Sequence, residues 1–339
     1  MPLPFGLKRP WDSKPALAVF LTPVLMAGFI GVGLSAWQRA RRPAMANVDP
    51  KPAKIDGERA YKYLKRICEI GPRHAGSEAN TRQREMVAAH FKKMGATIVE
   101  QKFRAPDPRD GRPVPMVNLI GMWHPERLQR VVVGVHYDTR PFPDEETHPD
   151  RKQLPFIGAN DGASGVAMLM EIAHHLKDME TPWGVDLVLF DGEELVFGDV
   201  GDFFLGSTEF ARRYANDVDA KRRKSRYAAG LVLDMVGDAD LKIEQEQYSL
   251  DLNRDLVREV WTVARKLKAD AFHDRIGQAV RDDHLPLNNA GIPTIDIIDF
   301  DYKYWHKAGD LPAECSASSL EQVGRVVTGW LSMPRRKTR

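Results

Sequence analysis

The sequence predicts an α/β fold: a mostly parallel, twisted central sheet with helices on both faces, preceded by a single N-terminal transmembrane helix. Three observations carry this expectation. Continuous apolar, β-branched runs alternate with helical stretches, the pattern of strands buried on both faces. The major runs end in His, Asp or Glu, where a plain core strand would stop at a turn. Finally, Pro15 to Trp37 carries no charged side chain, and a run on the order of 20 such residues is long enough to span a bilayer.

The N-terminal apolar run tolerates Pro23 and its glycines as a membrane helix does, and Trp37 with Arg39, Arg41 and Arg42 marks an interface. A cleaved signal peptide is the alternative, since "AMA" at Ala44–Ala46 resembles a cleavage site. Three arginines separate it from the apolar run, however, so an uncleaved anchor is expected. The expected organisation is a tail over 1–14, the anchor over 15–37, a linker over 38–54 and one α/β domain over 55–335. From Asp56, "DGERAYKYLKRICEI" has helical spacing, and Ile70–Ser77 is a loop. Glu78 to Met94 is an amphipathic helix closed by Gly95. Strands are expected at Val117–Gly121 and Val131–Val135, a helix at Asp161–Leu176, a strand at Val185–Phe190 and a helix at Leu205–Tyr214. Gly230–Met235 and Ile292–Ile298 complete the strands, with a helix over Leu252–Lys268 between them. The last helix runs from Ser319 to Met333, with serines available as caps. "KRRKSR" at Lys221–Arg226 reads as a solvated loop.

Composition narrows the function. The chain has 339 residues, 43% apolar and 28% charged, as an ordinary folded domain does. Its net charge of +2 leaves no electrostatic footprint for nucleic acid, and no basic helix or aromatic–basic stripe supplies one. Cys68 and Cys315 lie too far apart in sequence for a metal-type cysteine pair and allow at most one disulfide.

Open α/β sheets bind ligands beyond the carboxyl ends of their strands. His136 and Asp138 follow the valine strand, two residues apart and therefore on one side of extended backbone. Asp191, Glu193 and Glu194 follow Val185–Phe190, Asp234 sits in an otherwise apolar strand, "GAND" ends in Asp161, and "YWHKAGD" holds His306. Singly, each has a bland explanation, such as a helix cap for Asp161 or a hydrogen-bonded core histidine for His136. Gathered at one sheet edge, the acids would repel one another unless a cation lay among them. Imidazole with carboxylate and no thiolate suits zinc or a similar ion. On this reading His136 faces the metal, and Asp138 fixes its ring tautomer.

The motifs "HYDTR", "GANDGASG", "FDGEE", "LDMVG", "DDHLP" and "WHKAGD" occur in this order after "IGPRHAGSEAN". From about Ile55 to Leu331 the chain thereby resembles the zinc aminopeptidases of peptidase clan MH, and more closely the glutaminyl-peptide cyclotransferases built on that fold. The resemblance implies a fold of the zinc aminopeptidase, phosphorylase/hydrolase-like type. It implies Zn2+ held by Asp161, Glu194 and His306, with a second ion, in the two-metal aminopeptidases, on His136 and Asp234 and bridged by Asp161. Glu193 matches the general acid/base. Asp234 and Asp282 would hydrogen-bond the substrate amine, the amide nitrogen or Glu193, and Trp305 would stack on the substrate.

Three details favour the cyclases: a long loop after Glu194, "DDH" at Asp282–His284 where aminopeptidases more often have Ser-Asp-His, and Trp305 before His306. One departs, because Asp199 stands where the cyclases carry a further tryptophan. The expected activity is conversion of an N-terminal glutamine to pyroglutamate with release of ammonia. The alternatives are hydrolysis of the first peptide bond and a non-catalytic binding domain. The implied partners are peptide or protein N-termini and, through the apolar helix, a membrane. Both flanks of that helix are basic, and the positive-inside rule taken literally puts the domain in the cytoplasm. Maturation of exported peptides requires the opposite, and an extracytoplasmic domain is the expectation adopted.

Overall fold

The computed structural model describes residues 48–198, 200–216 and 225–334. The predicted anchor at Pro15–Trp37 with its flanks, Asp199, and residues 221–224 of the charge run lie outside them. Among the described residues no helix is long and apolar enough to cross a membrane.

The strands are β1 (Thr97–Pro106), β2 (Pro113–Trp123), β3 (Gln129–His136), β4 (Gly184–Phe190), β5 (Arg226–Asp234), β6 (Ile243–Gln245), β7 (Phe272–Ile276) and β8 (Thr294–Ile298). Six form one sheet in the order β1-β2-β4-β3-β5-β8, and β6 and β7 pair separately. β4, β3, β5 and β8 run parallel, while β2 lies antiparallel to both β1 and β4. The sheet is thus mostly parallel, as expected. β1 is an addition: its Glu100, Lys102 and Arg104 break the apolar signal, because an edge strand needs only one buried face and charges there discourage further pairing.

The helices are α1 (Gly57–Cys68), α2 (Glu78–Lys93), α3 (Gly165–Leu176), α4 (Leu205–Asn216), α5 (Gln247–Leu267), α6 (His284–Asn289) and α7 (Ala317–Leu331). Val131, Val133 and Val135 turn to one side of the sheet, where α3 packs. α3 lies so close that a Cβ on Gly165 would come within 2.9 Å of the Leu233 carbonyl. Val132, Val188 and Phe190 turn to the other side and pack with Phe210 of α4 and Leu287 of α6. Burial on both faces explains why these strands read as unbroken apolar runs.

The caps agree with the sequence. Asp56 accepts from Arg59 N at 2.9 Å, Ser77 from Asn80 N at 3.0 Å and Ser316 from Ser319 N at 3.1 Å. α5 starts earlier than expected because Glu246 caps the N–H groups of Tyr248 and Ser249, and the pattern is interrupted at the non-helical Asn253. Asp161 and Gly162 are not helical, with φ/ψ of −85/98 and 97/−51, so the regular helix begins only at Gly165. Cys68 and Cys315 are both free and buried. His174 accepts or donates at 2.7 Å with the Tyr63 hydroxyl, and His175 pairs with Glu171 at 3.3 Å, which are structural roles.

Candidate metal centre

The carboxyl ends of β3, β4, β5 and β8 open onto one rim. β3 ends at His136 and β5 at Asp234; the turn after β4 carries Glu193 and Glu194; the loop after β8 returns at His306. Two buried aspartates shape the turns that carry the acids. Asp138 accepts the N–H groups of Glu193 and Glu194, each at 3.0 Å. Asp310 accepts those of Asn160 at 2.8 Å and Asp161 at 3.0 Å, together with the Tyr302 hydroxyl at 2.8 Å. A tight turn presents consecutive N–H groups to one side, and a carboxylate that fills its lone pairs this way tolerates burial.

This corrects the role expected of Asp138. Its oxygens are committed to backbone, and the Nδ1 of His136 has no hydrogen-bond partner among the described residues. Glu193 Oε2 lies 3.9 Å from that nitrogen. Asp310 supports the turn that carries Asp161. His284 does not reach Asp282 but faces Glu246 at 3.5 Å and Asp296 at 3.7 Å.

The donors converge. Asp161, Glu194 and His306 offer atoms all within 4.8 Å of one another, and so do His136, Asp161 and Asp234. His306 Nε2 lies 3.2 Å from Glu194 Oε1 and 3.6 Å from Asp161 Oδ2. His136 Nε2 lies 3.2 Å from Asp161 Oδ1 and 3.0 Å from Asp234 Oδ1. Asp161, Glu194, His306 and His136 are all buried. Glu194 Oε2 has no hydrogen-bond partner among the described residues. Two imidazole nitrogens aimed into buried carboxylates, with no thiolate among them, fit a zinc-type ion.

The electrostatics separate the two adjacent glutamates. Burial, then repulsion from Glu194, holds the Glu193 carboxyl well above its ordinary range. Burial also pushes Glu194 up, but His306 and Arg140 outweigh it and hold its carboxyl at about 2. One member stays ionised as a ligand would, and its neighbour favours a proton. Burial and the charge of Asp234 push Asp282 up.

Asp161, Glu193, Glu194, Asp234, Asp282, Trp305 and His306 line one cavity of about 320 Å³. Trp305 stacks on His306 with ring centroids 4.0 Å apart. Phe204 and His306, which line this cavity, and Met235, next to Asp234, have φ of 62°, 51° and 47°, a region that non-glycine residues rarely occupy. Sequence reasoning missed four contributors. Arg140 donates to Asp144 Oδ2 at 2.7 Å and lies 3.4 Å from Glu194 Oε2, and Asp144 Oδ1 lies 3.5 Å from His306 Nδ1. Phe203 and Phe204 supply aromatic lining. The "TRPFPD" directly after "HYD" was the available signal for the first pair.

A model of peptidase family M28 matches residues 118–331. A solved glutaminyl cyclase from Fimbriiglobus ruber is 38% identical with a TM-score of 0.82, over 87% of this chain and 100% of that one. A glutaminyl-peptide cyclotransferase of Gloydius blomhoffii is 24% identical over 245 residues, 62% of this chain and 63% of that protein. Aminopeptidase YwaD of Bacillus subtilis (strain 168) is 28% identical over 222 residues, 62% of this chain and 43% of its own length. The match thus spans less than two thirds of either of these two curated relatives.

Proposed function

Because the chain belongs to peptidase family M28, we propose that it is a zinc-dependent glutaminyl-peptide cyclotransferase that converts an N-terminal glutamine to pyroglutamate and releases ammonia. The observation that carries this is the meeting of Asp161, Glu194 and His306 with the proton-favouring Glu193 and with Trp305 in one small cavity. The likeness to the Fimbriiglobus ruber glutaminyl cyclase supports it.

Asp161, Glu194 and His306 would hold a zinc ion, which when bound would supply Lewis acidity to the site. Glu193 accepts a proton from the substrate's α-amino nitrogen as that nitrogen bonds to the side-chain carbonyl carbon, and returns it to the nitrogen that leaves as ammonia. Asp234 and Asp282, which line the same cavity, accept hydrogen bonds from the amine and hold it on course. Trp305 presents a flat face to the glutamine stem. Nucleophile and electrophile belong to one residue, so orientation supplies much of the rate.

A second reading, an aminopeptidase, is favoured by the other donor group of His136, Asp161 and Asp234. Incubation with a Gln-initiated peptide and a matched Leu-initiated peptide decides between them. Ammonia with an intact chain supports the cyclase, and free leucine sinks it in favour of the peptidase. The same proposal keeps the catalytic domain over 55–335 and ties it to a membrane, on its outer side, through the uncharged run Pro15–Trp37. Recovery of the full chain in the soluble fraction of its own cells would refute the anchor.

A further inference from the structure

The cavity's volume of about 320 Å³ stands at the low end of ligand sites, which run from roughly 300 to 1,000 Å³. It accommodates the first residue of a peptide, and the second and third residues must cross the rim. Of the residues lining the cavity, Phe203, Ala279 and Arg281 are exposed and form that rim. Arg281 is the charged one of the three, and among the described residues it has no ion pair or hydrogen-bond partner. Nearby cations are committed elsewhere: Arg140 to Asp144 and Glu194, and Lys242 to Asp240.

The wall that carries Arg281 is fixed. Val280 and Asp282 on either side are buried. The Val280 N–H donates to Glu246 Oε1 at 3.0 Å, and the Asp282 carbonyl accepts from Leu285 N at 2.9 Å. An anchored backbone thus holds an unpaired guanidinium at the mouth of a cavity whose inner lining is acidic. The sign of charge reverses from floor to rim. A peptide entering amine-first matches that gradient when a carboxylate stands just after its first residue, and guanidinium is suited to carboxylate by its forked donors.

We propose that Arg281 is a specificity element that binds a substrate carboxylate just downstream of the N-terminal glutamine. The preferred substrates are then peptides with an acidic second or third residue, or very short peptides whose own terminal carboxylate reaches the rim. This rests on the cyclase reading of the site.

The test is pyroglutamate formation from C-terminally amidated peptides that differ only in Glu, Ala or Lys after the glutamine, alongside a Gln-Ala dipeptide as free acid and as amide. An exposed pair of this kind gives a preference of roughly two- to fivefold in kcat/KM. Glu should therefore exceed Lys by that factor at low salt, and added salt should erase the difference. Arg281→Gln should abolish the preference, and Arg281→Glu should reverse it. Dependence on Arg281 confined to the dipeptide pair would identify the terminal carboxylate as the source; dependence in the amidated series would identify the side chain. A Glu-to-Lys ratio and an acid-to-amide ratio both indifferent to salt and to Arg281 would overturn this inference while leaving the cyclase reading intact. No pyroglutamate from any peptide would overturn both.

Discussion

The backbone N–H of Asp161 donates to Oδ2 of Asp310 at 3.0 Å, a contact between residues 149 apart in the chain. Asp310 thereby aims a candidate metal ligand without touching the metal position itself. In Asp310→Asn the amide must turn one N–H toward a donor, either a backbone N–H or the Tyr302 hydroxyl. Supporting residues of this kind typically cost 10–100-fold in metal affinity when altered. We expect zinc affinity to fall by about that factor, measured by competition with a chromogenic chelator, with the far-ultraviolet circular dichroism spectrum retained. Unchanged affinity would remove Asp310 from the site's support.

Glu193→Gln keeps the shape of the side chain and removes the proton acceptor. The expected loss in kcat is about 10²–10⁴-fold, with zinc content unchanged, because Glu194 and its partners His306 and Arg140 are not altered. Equal activity in wild type and variant would withdraw the general-base assignment.

Zinc binding should strengthen as pH rises. Burial disfavours charged His136, but the carboxylates of Asp161 and Asp234 outweigh it and hold its proton affinity well above the ordinary value. For His306 the same balance, with Glu194 and Asp161, also raises it. A metal must displace those protons, so its affinity falls as they are added back. Chelator titrations between about pH 5.5 and 8 should show steadily tighter binding, and calorimetry in buffers of different ionisation enthalpy should register released protons. Affinity independent of pH would contradict the arrangement. Saturating zinc should also raise the melting temperature, since about 2.7 kcal/mol accrues at a hundredfold excess over Kd.

Away from the site, Glu171 links the first helix to the core. It accepts from Arg59 Nε at 2.6 Å, Arg59 Nη2 at 2.7 Å and Asp56 N at 2.9 Å. Burial raises its carboxyl, but hydrogen bonds from His175, Arg59 and Asp56 prevail and hold it at about 2. A depressed acid stabilises the fold above its unfolded value and loses that effect as pH falls through the folded one. The contribution is therefore complete above about pH 4.5 and lost toward pH 2. With Arg59 partly exposed and its charge screened, it is on the order of 2 kcal/mol. Glu171→Gln should lower the melting temperature at pH 7, and the gap from wild type should close on acidification. A gap that stays undiminished as the pH falls to about 2 would exclude this ion pair as its cause.

Much of this was legible because it is local. Strands buried on both faces must be apolar along their length, so β3, β4, β5 and β8 announced themselves, as did the caps at Asp56 and Ser77. β1 and α6 did not: one is a charged edge strand, and the other, at six residues, is too short to show a period. The His, Asp and Glu residues at the strand ends were visible as chemistry, because acids and imidazoles are costly to bury unpaired.

The sequence by itself determined which side chains stand at the ends of which strands, since alternation and register leave a buried strand little choice of face. Only the tertiary structure decided what supports them. Asp138 was expected beside His136, yet it holds a backbone turn, as Asp310 does. Arg140 reaches Glu194, and Arg281 stands unpaired at the rim. Such contacts join residues far apart in the chain through turns whose φ values, at Phe204, Met235 and His306, local preference disfavours. They exist because the closed core over-determines the backbone there, and no local pattern encodes that constraint.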